Sequence, residues 1–320
     1  MAELSRETLP PTASGWDYEY EHNDTECPEF DAPEVTFISI TVIISVLGLV
    51  GNGIVLWFLG FRMKRNPFTV YVLNLAVADT GFLLYSLAYL AAYMVEYLFC
   101  DNTDFHYILF LITMLCLWTY STSLYLLTAI STERCVSVLY PIWHRCRRPK
   151  HLSAIVSALL WAVSSLLCWF MGIVCLVLSE SCINSLLYVF VLNVLIFTPI
   201  MVLSSLILSI KVQRSSQRRP PGKLYVVILL TVLFFLLFTL PQSVDLLLTY
   251  MDIHEPTDMF HALACASSSI NPVIYFLVGS YRKRRFRGSL KLALRRVFEE
   301  QADCGEDRNT PSRDPVGTIV

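Results

Sequence analysis

The sequence predicts an all-α membrane protein: a seven-transmembrane helix bundle followed by a C-terminal amphipathic helix. Three observations predict it. Of 320 residues, 55% are hydrophobic and only 16% are charged, well below the roughly 25% charged of soluble domains. The apolar residues gather into seven runs, each at least as long as the roughly 20 residues that a helix needs to cross a bilayer. Lys and Arg collect on alternate connections between these runs. The net charge of −2 gives no reason to expect nucleic acid as a partner, and the high apolar content excludes a disordered chain.

The runs cover residues 35–61, 68–95, 105–138, 152–178, 183–210, 224–250 and 259–279. Lipid offers the backbone no hydrogen bonds, and the runs are too long for barrel strands, so they read as helices. Residues 1–34 form a polar, acidic tail without the basic and apolar regions of a cleavable signal peptide, which makes the first run the insertion signal. Arg62, Lys64 and Arg65 follow the first span, Arg145, Arg147, Arg148 and Lys150 the third, Lys211 and Arg214 the fifth, and Arg282 to Arg285 the seventh. The positive-inside rule places these regions in the cytosol and the N-terminus outside.

The outer side is then acidic, with Asp17, Glu19, Glu21, Asp24 and Glu26 in the tail and Asp101, Asp104, Glu180 and Asp252 in the loops. Such a surface steers cationic ligands inward, although acids also collect wherever basic residues are excluded. The one Asn-x-Ser/Thr sequon begins at Asn23, on the outer side where a sugar can be attached. Of the ten cysteines, Cys116, Cys135, Cys168 and Cys265 sit in spans as small packing residues, whereas Cys175 and Cys182 bracket the outer connection between spans four and five and are candidates for a disulfide. Cys27 and Cys100 are a second candidate pair.

Beyond the bundle, residues 280–300 place Phe286, Leu290, Leu294 and Val297 at helical spacing among Arg and Lys, the pattern of a helix lying on anionic membrane lipids. Residues 301–320 read as a disordered cytosolic tail whose last residues, Thr318-Ile319-Val320, fit a PDZ partner.

Ionisable groups inside a membrane are costly and mark function. Asp79 in span two is the one acid deep in an apolar run, and Asn52, Ser123, Ser267, Ser268, Ser269 and Asn271 supply polar partners in spans one, three and seven. Packed together, this group would hold either a sodium ion at Asp79 and Ser123 or a hydrogen-bond network around a protonated acid. Glu133 and Arg134 form a candidate ion pair at the cytosolic end of span three. Pro272, between Asn271 and Tyr275, removes a backbone donor from span seven, and Pro199 and Pro241 do the same in spans five and six.

Gly51-Asn52, Leu75-Ala76-Val77-Ala78-Asp79, Glu133-Arg134-Cys135, Trp161 and Asn271-Pro272-Val273-Ile274-Tyr275, in that order, resemble a rhodopsin-like G-protein-coupled receptor. Arg62 to Tyr71, Leu126 to Cys135, Val138 to Trp143, Arg148-Pro149-Lys150-His151-Leu152-Ser153-Ala154 and Tyr275 to Ser280 look more narrowly like the Mas-related family. The resemblance extends from Val46 to Glu300. It implies a plasma-membrane receptor that binds an extracellular ligand and activates a heterotrimeric G protein, of the Gq or Gi class. Arg134 would insert into that partner with Glu133 beside it, Tyr275 would swing inward in support, and Asp79, Ser123, Ser267 and Asn271 would relay between the ligand and the inner face.

Departures from the wider class refine the expectation. Its Cys at the outer end of span three is Leu109 here, and the bridge that Mas-related receptors often use instead is matched by Cys175 and Cys182. Cys116 stands where amine receptors carry an Asp, and Met171 where several Mas-related receptors hold an acid, so recognition of a cationic peptide would fall to Asp245. Tyr120, Met171, Asp245 and Tyr250 are the expected ligand-pocket residues. The stretch Arg218 to Lys223 lacks the acid that often locks the span-three Arg at rest, leaving Glu133 as the expected partner of Arg134 and implying ligand-free signalling.

Other classes fit less well. A transporter or channel would show repeats or several midplane charges, and an enzyme would need a nucleophile with a base inside the spans. Neither pattern is present in the sequence, so no catalytic residue and no cofactor other than sodium is expected. A ligand-binding decoy that does not couple is the nearer alternative, and the intact Glu133-Arg134 speaks against it.

Overall fold

The computed structural model describes residues 32–63, 66–99, 105–149, 151–177, 192–215, 223–238 and 258–280, with the single positions Val189, Pro241, Val244 and Leu248. The chain runs through α1 (Ala32–Phe61), α2 (Pro67–Phe99), α3 (Phe105–Leu139), the short α4 (Pro141–Cys146) and α5 (Leu152–Val177). A π-helical turn (Leu192–Phe197) leads into α6 (Thr198–Ser215), followed by α7 (Lys223–Phe238) and α8 (Asp258–Ser280). Among the described residues there is no strand. Among the described residues six helices are long and apolar enough to cross a bilayer, and Val226–Phe238 is a shorter apolar helix. The expected helix over 280–300, both tails, and the outer parts of spans five and six lie outside the described residues.

Local chemistry sets the helix starts. Asn66 caps α2: its Oδ1 accepts the backbone N–H of Thr69 at 2.7 Å, while the Thr69 hydroxyl accepts the N–H of Asn66 at 2.8 Å. Pro67 follows at the first helical position, where its missing N–H costs nothing. Pro141 starts α4 in the same way.

Helix α3 is the axis of the bundle. Residues 121–128 are buried without a break, which a helix achieves only when neighbours surround it. Those neighbours are α2, α5, α6 and α7. The main apolar cluster joins Val55 and Phe58 of α1, Tyr71 and Leu75 of α2, Leu124 of α3, Met201 of α6, Val227 of α7 and Ile274 of α8. The outward faces are equally apolar, with Leu47, Leu84, Leu166, Phe170, Leu203 and Leu277 all exposed. In water such a surface would aggregate; facing lipid it is the expected boundary.

Two prolines are accommodated differently. Pro272 sits inside α8 and cannot donate to the Ser268 carbonyl four residues back, and the side-chain amide of Asn52 in α1 donates to that carbonyl instead, at 3.0 Å. Pro199 opens α6 directly after the π-helical turn, and there the Thr198 hydroxyl donates to the carbonyl of Asn193 at 3.0 Å. A π turn shifts the hydrogen-bond ladder by one residue and so absorbs the missing donor.

Candidate functional site

Asp79 is 2% exposed and lies where α2, α3 and α8 meet. Ser123 Oγ donates to its Oδ1 at 3.0 Å, and Asn271 Nδ2 donates to its Oδ2 at 2.8 Å. A carboxyl group buried away from water is tolerated only with such partners. The structure therefore brings together Asp79, Ser123 and Asn271 from three helices. Ser267 and Ser268 are buried beside them on α8. Asn52 completes the group through Ser268 and also donates to the Gly48 carbonyl at 3.1 Å.

At the far end of α3 the carboxylate of Glu133 is engaged by Arg148, whose guanidinium lies 2.6 Å from Oε1. His144 Nε2 is 3.3 Å from the same oxygen, and the Tyr71 hydroxyl donates to Oε2 at 3.3 Å. Arg148 also donates to Ser153 Oγ at the start of α5. Arg134 points towards α2, with its guanidinium 4.3 Å above the Phe68 ring. Tyr275 is buried on α8 within the main apolar cluster.

The end of the bundle opposite Arg134 is aromatic. His261 of α8 lies 6.2 Å from both Phe82 and Tyr89 of α2, and Phe82 lies 6.3 Å from Tyr120 of α3. Tyr120 therefore belongs to a cluster shared by α2, α3 and α8. Met171 does not: it is 1% exposed and enclosed with Met114 and Val189, so a ligand would reach it only by displacing its neighbours. Cys175, near the end of α5, is disulfide-bonded.

Comparison with known proteins decides the family. Residues 51–275 match the model described as 7 transmembrane receptor (rhodopsin family). The chain is 41% identical over 289 residues to "Proto-oncogene Mas" of Mus musculus, covering 87% of this chain and 88% of that one. It is 42% identical over 290 residues to "Mas-related G-protein coupled receptor member H" of Rattus norvegicus, covering 87% and 88%, and 39% identical over 287 residues to member D of Macaca fascicularis, covering 86% and 88%. The chain belongs to the rhodopsin family of seven-transmembrane receptors, in its Mas and Mas-related branch. It is a multi-pass membrane receptor that signals and is not an enzyme.

Several expected site residues of the receptor lie outside the described residues: Asp245 and Tyr250 of the ligand pocket, Cys182 as the partner of Cys175, the Cys27 and Cys100 pair, the Asn23 sequon and the Thr318-Ile319-Val320 terminus. Sodium would meet oxygen donors at Asp79 and Ser123. The fit is partial: one carboxylate and neighbouring hydroxyls suit a hard cation, but the Asn271 amide already occupies one carboxylate oxygen, so water would have to complete the shell.

Other buried contacts of the receptor were not legible in the sequence. The Tyr125 hydroxyl donates to Asn193 Oδ1 at 2.8 Å, and Asn193 Nδ2 donates to Ser121 Oγ at 3.1 Å, joining α3 to the π-helical turn. Phe197 stacks on Tyr125 with ring centroids 3.9 Å apart. Trp161 Nε1 donates to Asn74 Oδ1 at 3.1 Å, joining α5 to α2. Asn193 stands just before the Thr198-Pro199 step, and an Asn inside an apolar run was the available signal. Arg148 and His144 offered none beyond their place in a basic loop.

Proposed function

We propose that this receptor couples an extracellular ligand, of cationic peptide or small amine-like character, to Gq or Gi, with Arg134 as the residue that inserts into the Gα subunit. The observation that carries the reading is the buried bridge from Asp79 to Ser123 and Asn271. It ties α2, α3 and α8 together between the aromatic cluster at one end and Arg134 at the other. A buried polar junction between helices is the kind of element that a ligand can bias, because a change at Tyr120 that shifts α3 against α8 would alter its hydrogen bonds. In this reading the N-terminus is extracellular, which follows from the basic residues after spans one, three, five and seven.

Sodium at Asp79 and Ser123 would stabilise the resting arrangement, and Tyr275 would support Arg134 once the inner ends separate. Ligand-free signalling belongs to the same reading, since the stretch Arg218 to Lys223 carries no acid of the kind that often locks the span-three Arg at rest.

The test is ligand-free G-protein dissociation in cells across the Gα classes, comparing the wild type with Arg134→Ala at equal surface density. A signal lost in the mutant supports coupling through Arg134 and names the Gα class. A wild type and a mutant that both match empty membranes, with no response to a panel of cationic peptides and amines, would favour the decoy.

A further inference from the structure

We propose that Cys116 of α3 and Cys265 of α8 form a binding site for a thiophilic divalent cation of the zinc class, with the hydroxyls of Ser86 in α2 and Ser45 in α1 donating to the metal-bound sulfurs. The site is separate from the Asp79 bridge, and the inference stands apart from the coupling reading.

Four helices bring these side chains together. Cys265 is buried in a small cluster with Phe82 and Leu83, and Cys116 packs against that cluster from α3. Both thiols lie against the Ser86 hydroxyl, Cys265 also faces that of Ser45, and the two cysteines are near enough for their charges to interact. Both are free thiols, and Cys116 keeps partial exposure, which gives an ion a way in. Ser45 and Ser86 are each 0% exposed, and neither hydroxyl has a hydrogen bond of ordinary geometry. A helical serine can donate to the carbonyl four residues back, as Ser39, Ser165 and Ser209 do in this chain. Ser45 and Ser86 do not take that partner. They face the sulfurs instead, and a buried hydroxyl held in this way is costly unless something at the sulfurs accepts its proton.

Charge and softness select the ligand. Thiolates are soft donors that favour the zinc class over the hard cations that oxygen ligands take. Binding releases both thiol protons to water, and one divalent ion with two thiolates carries no net charge. The complex therefore adds none to an interior where an uncompensated charge is costly. A metal-bound thiolate is also a stronger acceptor than a thiol, so the Ser86 and Ser45 hydroxyls gain the partner they lack. Two thiolates are fewer than the four ligands of a structural zinc site, which leaves positions to water and makes the ion exchangeable. Ser86 and Cys116 each stand seven residues along their helices from Asp79 and Ser123, a distance of about two turns. A bound ion would thus join α3 to α8 a second time, two turns from the junction through Asp79.

The experiment uses full-length receptor in lipid nanodiscs, with Cys146→Ser as the background because that thiol is exposed. Cadmium chloride serves as the spectroscopic probe, read by its ultraviolet thiolate-to-metal charge-transfer band, and zinc chloride as the competitor. The background receptor should give a saturable band that zinc displaces. Cys116→Ser and Cys265→Ser should each abolish it, and the two together should remove no more than either alone. Ser86→Ala should keep the band and weaken binding about tenfold, the effect of losing a group that bonds to a metal ligand. The absence of a saturable band, a band that survives either cysteine variant, or an unchanged affinity in Ser86→Ala overturns the inference. Should a cysteine variant fail to fold, the background receptor alone decides. Zinc should slow labelling of Cys116 by N-ethylmaleimide about tenfold, because a metal-bound thiolate is no longer free to attack, and labelling indifferent to zinc overturns the site.

Discussion

The side-chain amide of Asn52 donates to the backbone carbonyl of Ser268 at 3.0 Å, across the interface between α1 and α8. That carbonyl is the one Pro272 leaves without its helical donor. An asparagine on one helix thus repairs the ladder of another, and the kink-prone segment of α8 is anchored to α1 at the level of Asp79. Asn52→Ala should leave the Ser268 carbonyl buried and unsatisfied, costing about 1–3 kcal/mol. Thermal unfolding of the detergent-solubilised receptor measures this, and a melting temperature equal to wild type would show that water replaces the amide.

Tyr125→Phe removes the donor to Asn193 Oδ1 while keeping the ring that stacks on Phe197. The expected loss is about 1–2 kcal/mol, from one buried acceptor left without its hydroxyl. Tyr125→Leu should cost more because the stack is lost too. A Tyr125→Phe melting temperature equal to wild type would deny the hydrogen bond any part in stability, and equal melting temperatures for the two variants would deny the stack one.

The close approach of α1 and α8 depends on Gly48. A methyl group there would collide with Ser269 Oγ and come within 2.8 Å of Leu83 Cδ1. Ser269 cannot swing away freely, because its hydroxyl is bonded to the carbonyls of Ile44 and Cys265 at 3.1 and 2.8 Å. Gly48→Ala should therefore destabilise by about 1–3 kcal/mol and reduce surface expression, and Ser269→Gly in the same chain should recover part of the loss. Normal expression of Gly48→Ala would mean that the helices separate at little cost.

Asp79→Asn tests the sodium proposal. Replacing choline chloride with sodium chloride at constant ionic strength should raise the melting temperature of the wild type and leave that of Asp79→Asn unchanged. A wild type indifferent to the exchange would leave Asp79 with its structural partners Ser123 and Asn271 alone.

Trp161→Phe offers a smaller effect. It loses the bond to Asn74 but keeps an aromatic ring against Trp118, whose centroid lies 5.3 Å away. A cost of about 0.5–1.5 kcal/mol is expected, and Asn74→Ala should add little on top of it in a double-mutant cycle.

Much of this could be read from the residues in order. Asp79 stood out because an acid in an apolar run has few places to be satisfied, and Ser123 and Asn271 were named as partners because polar groups in other spans must face it. Their meeting at 3.0 and 2.8 Å follows from that necessity. Tyr120 falls within an aromatic cluster, whereas Met171 is enclosed with Met114 and Val189. A span assignment cannot separate the two, because it gives depth along a helix but only coarse rotation about it.

The sequence by itself determined the number of apolar spans, their helical character and the alternation of basic connections, because a bilayer leaves the backbone no other way to satisfy its hydrogen bonds. Only the tertiary structure decided which groups meet. Glu133 meets Arg148 fifteen positions on, Asn52 serves a carbonyl 216 positions away, and Gly48 is required by a serine on α8. The physical reason is the same in each case: a helix turns neighbouring side chains to different faces, and the partner on the facing surface is set by packing between helices that chain order does not encode.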